Sequence, residues 1–305
     1  MSRREDVCVL LGGSSDERAI SIRSGIAITE ALIRKGVRAF SLDARNGFQK
    51  KLKAEKPSMA FIAVHGKGGE DGRLQRELEK LSIPYVGSGP VASSQTFDKQ
   101  KSKQIFKKHQ IPTPTWALLT RKNWRTRFNQ LPIPAVIKPI ANGSSIGVMM
   151  VERRSQLMPK IKKSLKIYSS ILVEKKIEGR EFTVGILGGC ALPVIELKPK
   201  RSFYDYKAKY TKGMTEYLVP APIHSNLSKK LSRLAKKAHQ VLGLRDFSRV
   251  DLMVDQKNQP FVLEVNSIPG FTETSLLPKA AKAVGIGFDE LCVKLLQLAR
   301  NRVKK

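Results

Sequence analysis

Phe247-Ser-Arg-Val-Asp-Leu-Met-Val-Asp-Gln-Lys-Asn-Gln-Pro-Phe-Val-Leu-Glu-Val-Asn266 is the stretch on which the reading of this chain turns. Two apolar runs flank a polar turn at Lys257-Asn258, which predicts an antiparallel hairpin. A turn centred there sets Asp251 opposite Glu264. Period-two alternation then puts Arg249, Asp251, Glu264 and Asn266 on one face of the sheet. Two carboxylates facing each other repel unless a cation lies between them. With an amide oxygen beside them they suit a hard divalent ion such as Mg²⁺, which keeps waters or takes phosphate oxygens. The plainer reading is a polar face on which Arg249 neutralises one acid. Convergence of all four groups in the middle of apolar strands favours the metal.

Upstream, Lys138-Pro-Ile-Ala-Asn-Gly-Ser-Ser-Ile-Gly147 sets glycines and serines between two predicted strands, Ala135–Lys138 and Val148–Val151. Backbone N–H groups in such a loop can fold over phosphates, although a Gly-Ser hairpin taken alone is commonly just a hairpin. Neither a GxxxxGK[ST] loop nor a GxGxxG turn after a strand occurs. Lys138 ends a buried-looking strand and Lys99 opens a basic helix, so both are placed to reach a phosphate chain. Solvated lysines are the alternative.

The first hundred residues alternate strand and helix signals: strands at Val7–Leu11, Val37–Leu42, Met59–Val64 and Pro84–Val86, with helices through Ile20–Leu32, Phe48–Ala54 and Leu74–Leu81. That order predicts a doubly wound parallel sheet whose strand-end loops, His65–Gly72 among them, line a crevice. From Glu181 longer strands take over, so an α/β fold gives way to α+β in the C-terminal part. The expected division is 1–95, 96–180 and 181–305.

The chain has 305 residues, 41% hydrophobic and 27% charged, which allows an ordinary core and excludes wholesale disorder. Its three cysteines are widely separated and show no CxxC spacing, as expected of a reducing compartment. The longest nearly apolar run, Val184 to Ile195, is too short to span a bilayer, and the N-terminus is a poor signal peptide. A soluble cytoplasmic protein is expected. The net charge of +30 attracts polyanions. Runs such as Lys160-Ile-Lys-Lys163 and Lys236-Lys237 nevertheless lack interleaved aromatics and read as solvated faces. Nonspecific polyanion binding is expected, and specific nucleic-acid recognition is not.

The motifs together resemble the D-alanine–D-alanine ligase family of ATP-grasp enzymes. They run in order through Leu11-Gly-Gly-Ser-Ser-Asp-Glu-Arg18, His65-Gly-Lys-Gly-Gly-Glu-Asp-Gly72, Gly87-Ser-Gly89, Asp98-Lys99 and Gly143-Ser-Ser-Ile-Gly147. Glu178-Gly-Arg-Glu181, Phe203-Tyr-Asp-Tyr-Lys-Ala-Lys-Tyr210, Arg249-Val-Asp251 and Glu264-Val-Asn266 continuing to Ser275 complete the series.

The resemblance implies three domains, with ATP held between the central and C-terminal ones. It implies ATP-dependent joining of two D-alanine molecules through an acyl phosphate, for peptidoglycan, in a homodimer. Asp251, Glu264 and Asn266 would hold two Mg²⁺ or Mn²⁺ ions. Lys99, Lys138 and Lys209 would contact phosphates beneath the loop of Ser144 and Ser145. Glu174, Lys175 and Ile177 would meet adenine largely through backbone groups, and Glu181 the ribose. Glu17 would receive the first substrate's ammonium, joined by Ser144 and Tyr210. As a plain sequence signal, Ser14-x-x-Glu17 is also a helix capping box. His65 would lie near the first substrate and Ser275 would hold the second substrate's carboxylate. Arg249 and the Gly270 N–H would stabilise the oxyanion.

A mobile lid is implied from about Lys198 to Gly213. Lys207 stands at a lid position that is often acidic in the family, and Ser267-Ile268 replaces the commoner Thr-Leu or Thr-Ser before Pro269. D-Lactate or D-serine as second substrate is the near alternative, against which the lid tyrosine Tyr210 argues. A basic nucleic-acid-binding protein retaining the fold is the distant one, against which the acidic hairpin argues.

Overall fold

The computed structural model describes residues 6–45, 47–201, 208, 211 and 213–303. Most of the lid expected between Lys198 and Gly213, with Tyr204, Tyr206, Lys207, Lys209 and Tyr210, lies outside the described residues.

Four parallel strands open the chain: β1 (Val7–Leu11), β2 (Ala39–Asp43), β3 (Met59–Ile62) and β4 (Tyr85–Val86), in the order β2-β1-β3-β4. Their runs are apolar because helices cover both faces. On one side lie α1 (Arg18–Arg34) and the last helix. On the other, α2 (Phe48–Glu55) and α3 (Arg73–Lys80) pack around Leu10, Ile62 and Leu78. Helices α4 (Pro90–Phe97) and α5 (Lys99–Lys108) follow. The basic helix that Lys99 opens is preceded by a second helix, divided from it at Asp98. Asp98 is extended, and its side chain caps α5 by accepting from the Gln100 and Lys101 N–H groups.

The central layer is a four-stranded antiparallel sheet, ordered β5 (Trp116–Thr120), β8 (Ser170–Lys175), β6 (Ala135–Pro139), β7 (Met149–Val151). Alternation gives this sheet two different faces. Ala135, Ile137, Ile171 and Val173 pack under α6 (Trp124–Arg127) and α7 (Arg154–Ile167), while Val136, Lys138 and Glu174 point the other way.

The C-terminal sheet runs β12 (Thr215–Leu218), β11 (Ile195–Pro199), β9 (Gly179–Leu187), β13 (Phe247–Asp255), β14 (Pro260–Asn266), with the short β10 (Cys190–Ala191) beside β9. Leu192, Pro193 and Val194 separate β10 from β11. Phe182, Val184, Val250 and Val262 bury one face against α8 (Ser225–Val241) and Phe106 of α5. The opposite face divides. Leu187, Ile195 and Phe247 meet α9 (Leu276–Lys282) and α10 (Phe288–Val303), which also cover the N-terminal sheet. Glu181, Asp251 and Glu264 line a cleft instead. Gly185 lets α9 lie close on the sheet, since a Cβ there would sit 2.9 Å from Leu277 Cδ1.

Candidate active site

The acidic hairpin pairs as its sequence predicts where chemistry is concerned: Arg249 faces Asn266, Val250 faces Val265 and Asp251 faces Glu264. Nearer the turn the register differs by one residue, Leu252 facing Val262 and Val254 facing Pro260. The loop is Gln256-Lys257-Asn258, closed by the Asp255 N–H donating to the Gln259 carbonyl, with Asn258 left-handed at φ 57°. A bulge between Asp251 and Leu252 absorbs the offset. Leu263 and Glu264 consequently both line the cleft, while Val262 and Val265 stay in the core.

Asp251 is tightly held. Its Oδ1 accepts from Thr183 Oγ1 (2.7 Å) and Arg249 Nε (2.8 Å), and its Oδ2 from an Arg249 terminal nitrogen (2.8 Å) and Asn266 Nδ2 (3.0 Å). Glu264 lies 3.2 Å from Lys99 Nζ, which also donates to the Asn142 carbonyl at 2.7 Å. Arg249 and Lys99 thus neutralise the paired acids, so the plainer reading of this face and the acidic pairing are both present. Among the described residues no cluster of three or more His, Cys, Asp or Glu side chains occurs. Two carboxylates and an amide are a hard-oxygen set that suits Mg²⁺ when phosphate oxygens and waters complete the shell. By donor chemistry these residues fit such an ion.

Lys138 and Glu174 are buried on the cleft floor, 2.8 Å apart. Burial opposes both charges. The neighbouring Glu174 and Glu264 nevertheless hold Lys138 above the ordinary lysine range, and Lys138 with Lys103 holds Glu174 below the carboxylate range. Lys103 is one of the residues that sequence reasoning missed. It is wholly buried, 3.4 Å from Glu174, and donates to Thr113 Oγ1 at 2.6 Å. Burial pushes its ammonium down to about 8. Its signal was spacing, because Lys99, Lys103 and Phe106 share one face of α5. Thr183 was findable in the same way, two residues from Glu181 on β9.

Glu174 sits in the central strand with its backbone paired to both Trp116 and Val136, and it offers the cleft its carboxylate. Lys175 and Lys176 also donate their N–H groups internally, to Thr115 and Pro134. The cleft, of about 950 Å³, is lined by Lys99, Lys138, Ser145, Lys175, Ile177, Glu181, Asp251 and Glu264.

A second cavity of about 380 Å³ opens at the strand ends of the N-terminal sheet, lined by Ser14, Glu17, Gly66, Asn142 and Gly143. A narrow neck bounded by Phe97, Lys99, Asn142, Gly143, Glu264 and Asn266 borders both cavities. Glu17 does not form the capping box. It is itself the N-cap residue of α1, its side chain makes no cap bond, and its N–H donates to Ser15 Oγ at 3.2 Å. The freed carboxylate accepts from Ser144 Oγ instead. Two glycines allow this approach: a Cβ at Gly143 would lie 2.6 Å from Glu17 Oε2, and one at Gly66 2.8 Å. Ser144 and Ser145 both take positive φ, at 52° and 58°, a conformation that non-glycine residues seldom adopt.

His65 is buried. Its Nδ1 is 3.0 Å from the Ile268 carbonyl and therefore carries the proton, while Nε2 lies 3.1 Å from Ser24 Oγ. The ring thus ties the N-terminal sheet to the turn that leads to Gly270. Ser275 is the N-cap residue of α9. Its Oγ accepts from the Thr272 N–H at 3.0 Å and lies beside Gly270. The Arg18–Asp43 ion pair, which sequence reasoning also missed, pins the loop before α1. The Arg18 hydrogen bonds hold Asp43 down to about 2, and Asp43 accepts from the Gly13 N–H.

Two antiparallel sheets closing on one cleft, with cations and acids gathered at its inner end, define a ligase of the ATP-grasp class. Residues 38–88 match the family model for the D-ala D-ala ligase N-terminus, and residues 105–297 that for the C-terminus. A D-alanine–D-alanine ligase of Carboxydothermus hydrogenoformans is 45% identical over 95% of this chain and 96% of its own. A D-alanine–D-alanine ligase structure from Bacillus anthracis superposes with a TM-score of 0.88 at 33% identity, over 98% of both chains. Another from that organism, complexed with ATP, gives 0.85 at 30% identity, over 98% and 99%. The chain belongs to the D-alanine–D-alanine ligase family.

Proposed function

We propose that this protein joins two D-alanine molecules into D-alanyl-D-alanine, using ATP, for peptidoglycan. The observation that carries the reading is that a nucleotide-sized cleft and the cavity of Glu17 both adjoin the small cavity bounded by Lys99, Asn142, Gly143 and Glu264. The relatives' activity supports it.

ATP lies in the cleft with adenine near Glu174, Lys175 and Ile177, ribose at Glu181, and phosphates toward Lys99, Lys138 and the Ser144–Ser145 loop. Lys209 and Tyr210 of the lid complete the set. Asp251, Glu264 and Asn266 would hold Mg²⁺ or Mn²⁺, two ions in the family pattern, which disperses phosphate charge during transfer. Lys99 and Arg249, paired with the acids in this structure, would contact phosphate and the oxyanion respectively.

Glu17 binds the ammonium of the first D-alanine, and His65 holds the neighbouring turn. The first carboxylate oxygen attacks the γ-phosphorus, ADP leaves, and an acyl phosphate forms. Ser275 holds the carboxylate of the second D-alanine, whose amine, after losing a proton, attacks the acyl carbon. Arg249 and the Gly270 N–H stabilise the resulting oxyanion. Phosphate departs and the dipeptide bond remains. Closure of the lid excludes water from the acyl phosphate.

The division at about 95 and 180, a homodimer and a cytoplasmic location belong to the same proposal. Among the described residues no helix is long and apolar enough to cross a membrane. The test is phosphate release from ATP with Mg²⁺. We expect release that depends on D-alanine and is not supported by D-lactate or D-serine in its place. Release indifferent to D-alanine would overturn the reading.

A further inference from the structure

Between Lys99 and Val173 the chain carries sixteen lysines and arginines and a single acid, Glu152. Half of the net charge of +30 therefore sits in a quarter of the length. The fold gathers most of it on one surface. Helices α6 and α7 lie side by side on the face of the central sheet that points away from the cleft. Arg121 donates to the carbonyls of Leu165 and Lys166 at the end of α7. Arg125 and Lys162 share the ring of Trp124, at 5.1 and 6.0 Å from its centroid. Arg154 stacks over Phe128 and donates to its carbonyl at 3.1 Å.

These contacts weave Arg121, Arg125, Arg154, Lys162 and Lys166 into one strip, flanked by the exposed Lys122, Arg127, Arg153 and Lys163. Glu152, the one acid nearby, is engaged by Lys176 at 2.7 Å. Among the described residues none of the nine cations has a carboxylate at ion-pair distance. They repel one another, and a polyanion relieves that repulsion while releasing its own counterions.

We propose that this strip is a docking surface for the phosphodiester backbone of nucleic acid, bound without sequence preference and independently of the ligase reaction. The span from Arg154 to Lys166 is ~18 Å at 1.5 Å per residue. That matches about five phosphates of one strand at 3.4 Å each. Five of the nine cations are arginines, whose planar donor fork suits phosphate. The stretch Arg121–Phe128 interleaves aromatics with arginines, yet Trp124 is buried and both rings are covered by cations. No ring is left for base stacking, so the strip grips backbone rather than reading bases. An anionic lipid surface fits less well. Met158 and Ile167, the exposed apolar residues of α7, are nine positions apart. They therefore lie on opposite sides of the helix, at ~100° per residue, and cannot enter a bilayer together.

The test uses the full chain and a labelled mixed-sequence 20-nucleotide single strand, followed by anisotropy between 50 and 200 mM salt. The triple variant Lys162→Glu/Lys163→Glu/Lys166→Glu is expected to weaken binding at least tenfold. It should also lower the slope of log K against log salt by about two. The same charge change on α8, Lys229→Glu/Lys230→Glu/Lys237→Glu, is expected to stay within threefold of wild type. Arg125→Gln/Arg127→Gln serves as a milder second strip variant with the same expected direction. D-Alanine-dependent phosphate release should be unchanged in all three, since none of these residues borders the cleft. Equal losses on α8 would assign the effect to charge in general and overturn the proposal. So would an unaltered strip variant, absence of wild-type binding at 50 mM salt, or strip-dependent binding to phosphatidylglycerol vesicles without binding to the oligonucleotide.

Discussion

Glu174 shows how much one side chain can carry. Its carboxylate lies between Lys103 and Lys138 on the cleft floor, so its charge is compensated twice and Lys138 stays cationic. Replacing Lys103 by Met leaves a buried acid short of one partner. Equilibrium denaturation should register a loss of about 3 kcal/mol, with the Michaelis constant for ATP rising as Lys138 shifts. Glu264→Ala, at a partly exposed position, should leave stability within about 1 kcal/mol of wild type. It should cut D-alanine-dependent phosphate release at least ~100-fold. Near-normal turnover in that variant would remove the metal assignment. Gly143→Ala places a methyl group where the Glu17 carboxylate now lies. The Michaelis constant for the first D-alanine is expected to rise at least about tenfold, with a smaller effect on ATP, as steady-state kinetics would show.

The hairpin of β13 and β14 was legible in outline, because alternation and a polar turn together place Asp251 opposite Glu264. Its bulge was not. Two errors of one residue, in the turn and in the ladder, cancel at the catalytic end, and no local signal marks Leu263 as the extra residue. Helix α8 carries an element-scale prediction. His239, buried against β13 with Nδ1 2.8 Å from Ser248 Oγ, has its imidazole pushed down to about 4 by burial. Unfolded, it titrates near 6.5. The unfolded chain thus binds the extra proton between those values. The stability that the neutral ring contributes is complete above about pH 6.5 and is lost as pH falls toward 4. The loss should be roughly 2–3 kcal/mol over that window. In His239→Gln, denaturation curves at several pH values should show this slope flattened.

At the scale of the molecule, the first and last parts of the chain share one core. Helix α1 meets α10, where Arg34 grips Asp289 with two bonds of 2.9 and 2.7 Å. Asp246 joins three segments: it accepts from the Gly87 N–H at 2.7 Å and from Arg302, which also donates to the Tyr85 carbonyl. Asp246→Ala would leave the Arg302 guanidinium without its carboxylate at that junction. We expect a melting temperature lower by roughly 5–10 °C. An unchanged melting curve would show that the apolar core alone joins these segments.

The sequence by itself determined the class of fold, the parallel N-terminal sheet, the paired acids and the glycine loop. Each of these follows from short-range periodicity and from residue types that tolerate few alternatives. Only the tertiary structure decided that Lys103 is buried while Lys101 is not, that Glu17 turns from its helix to Ser144, and that scattered basic runs become one strip. A lysine's burial and a cation's neighbours depend on which distant segments pack together, and no local pattern records that.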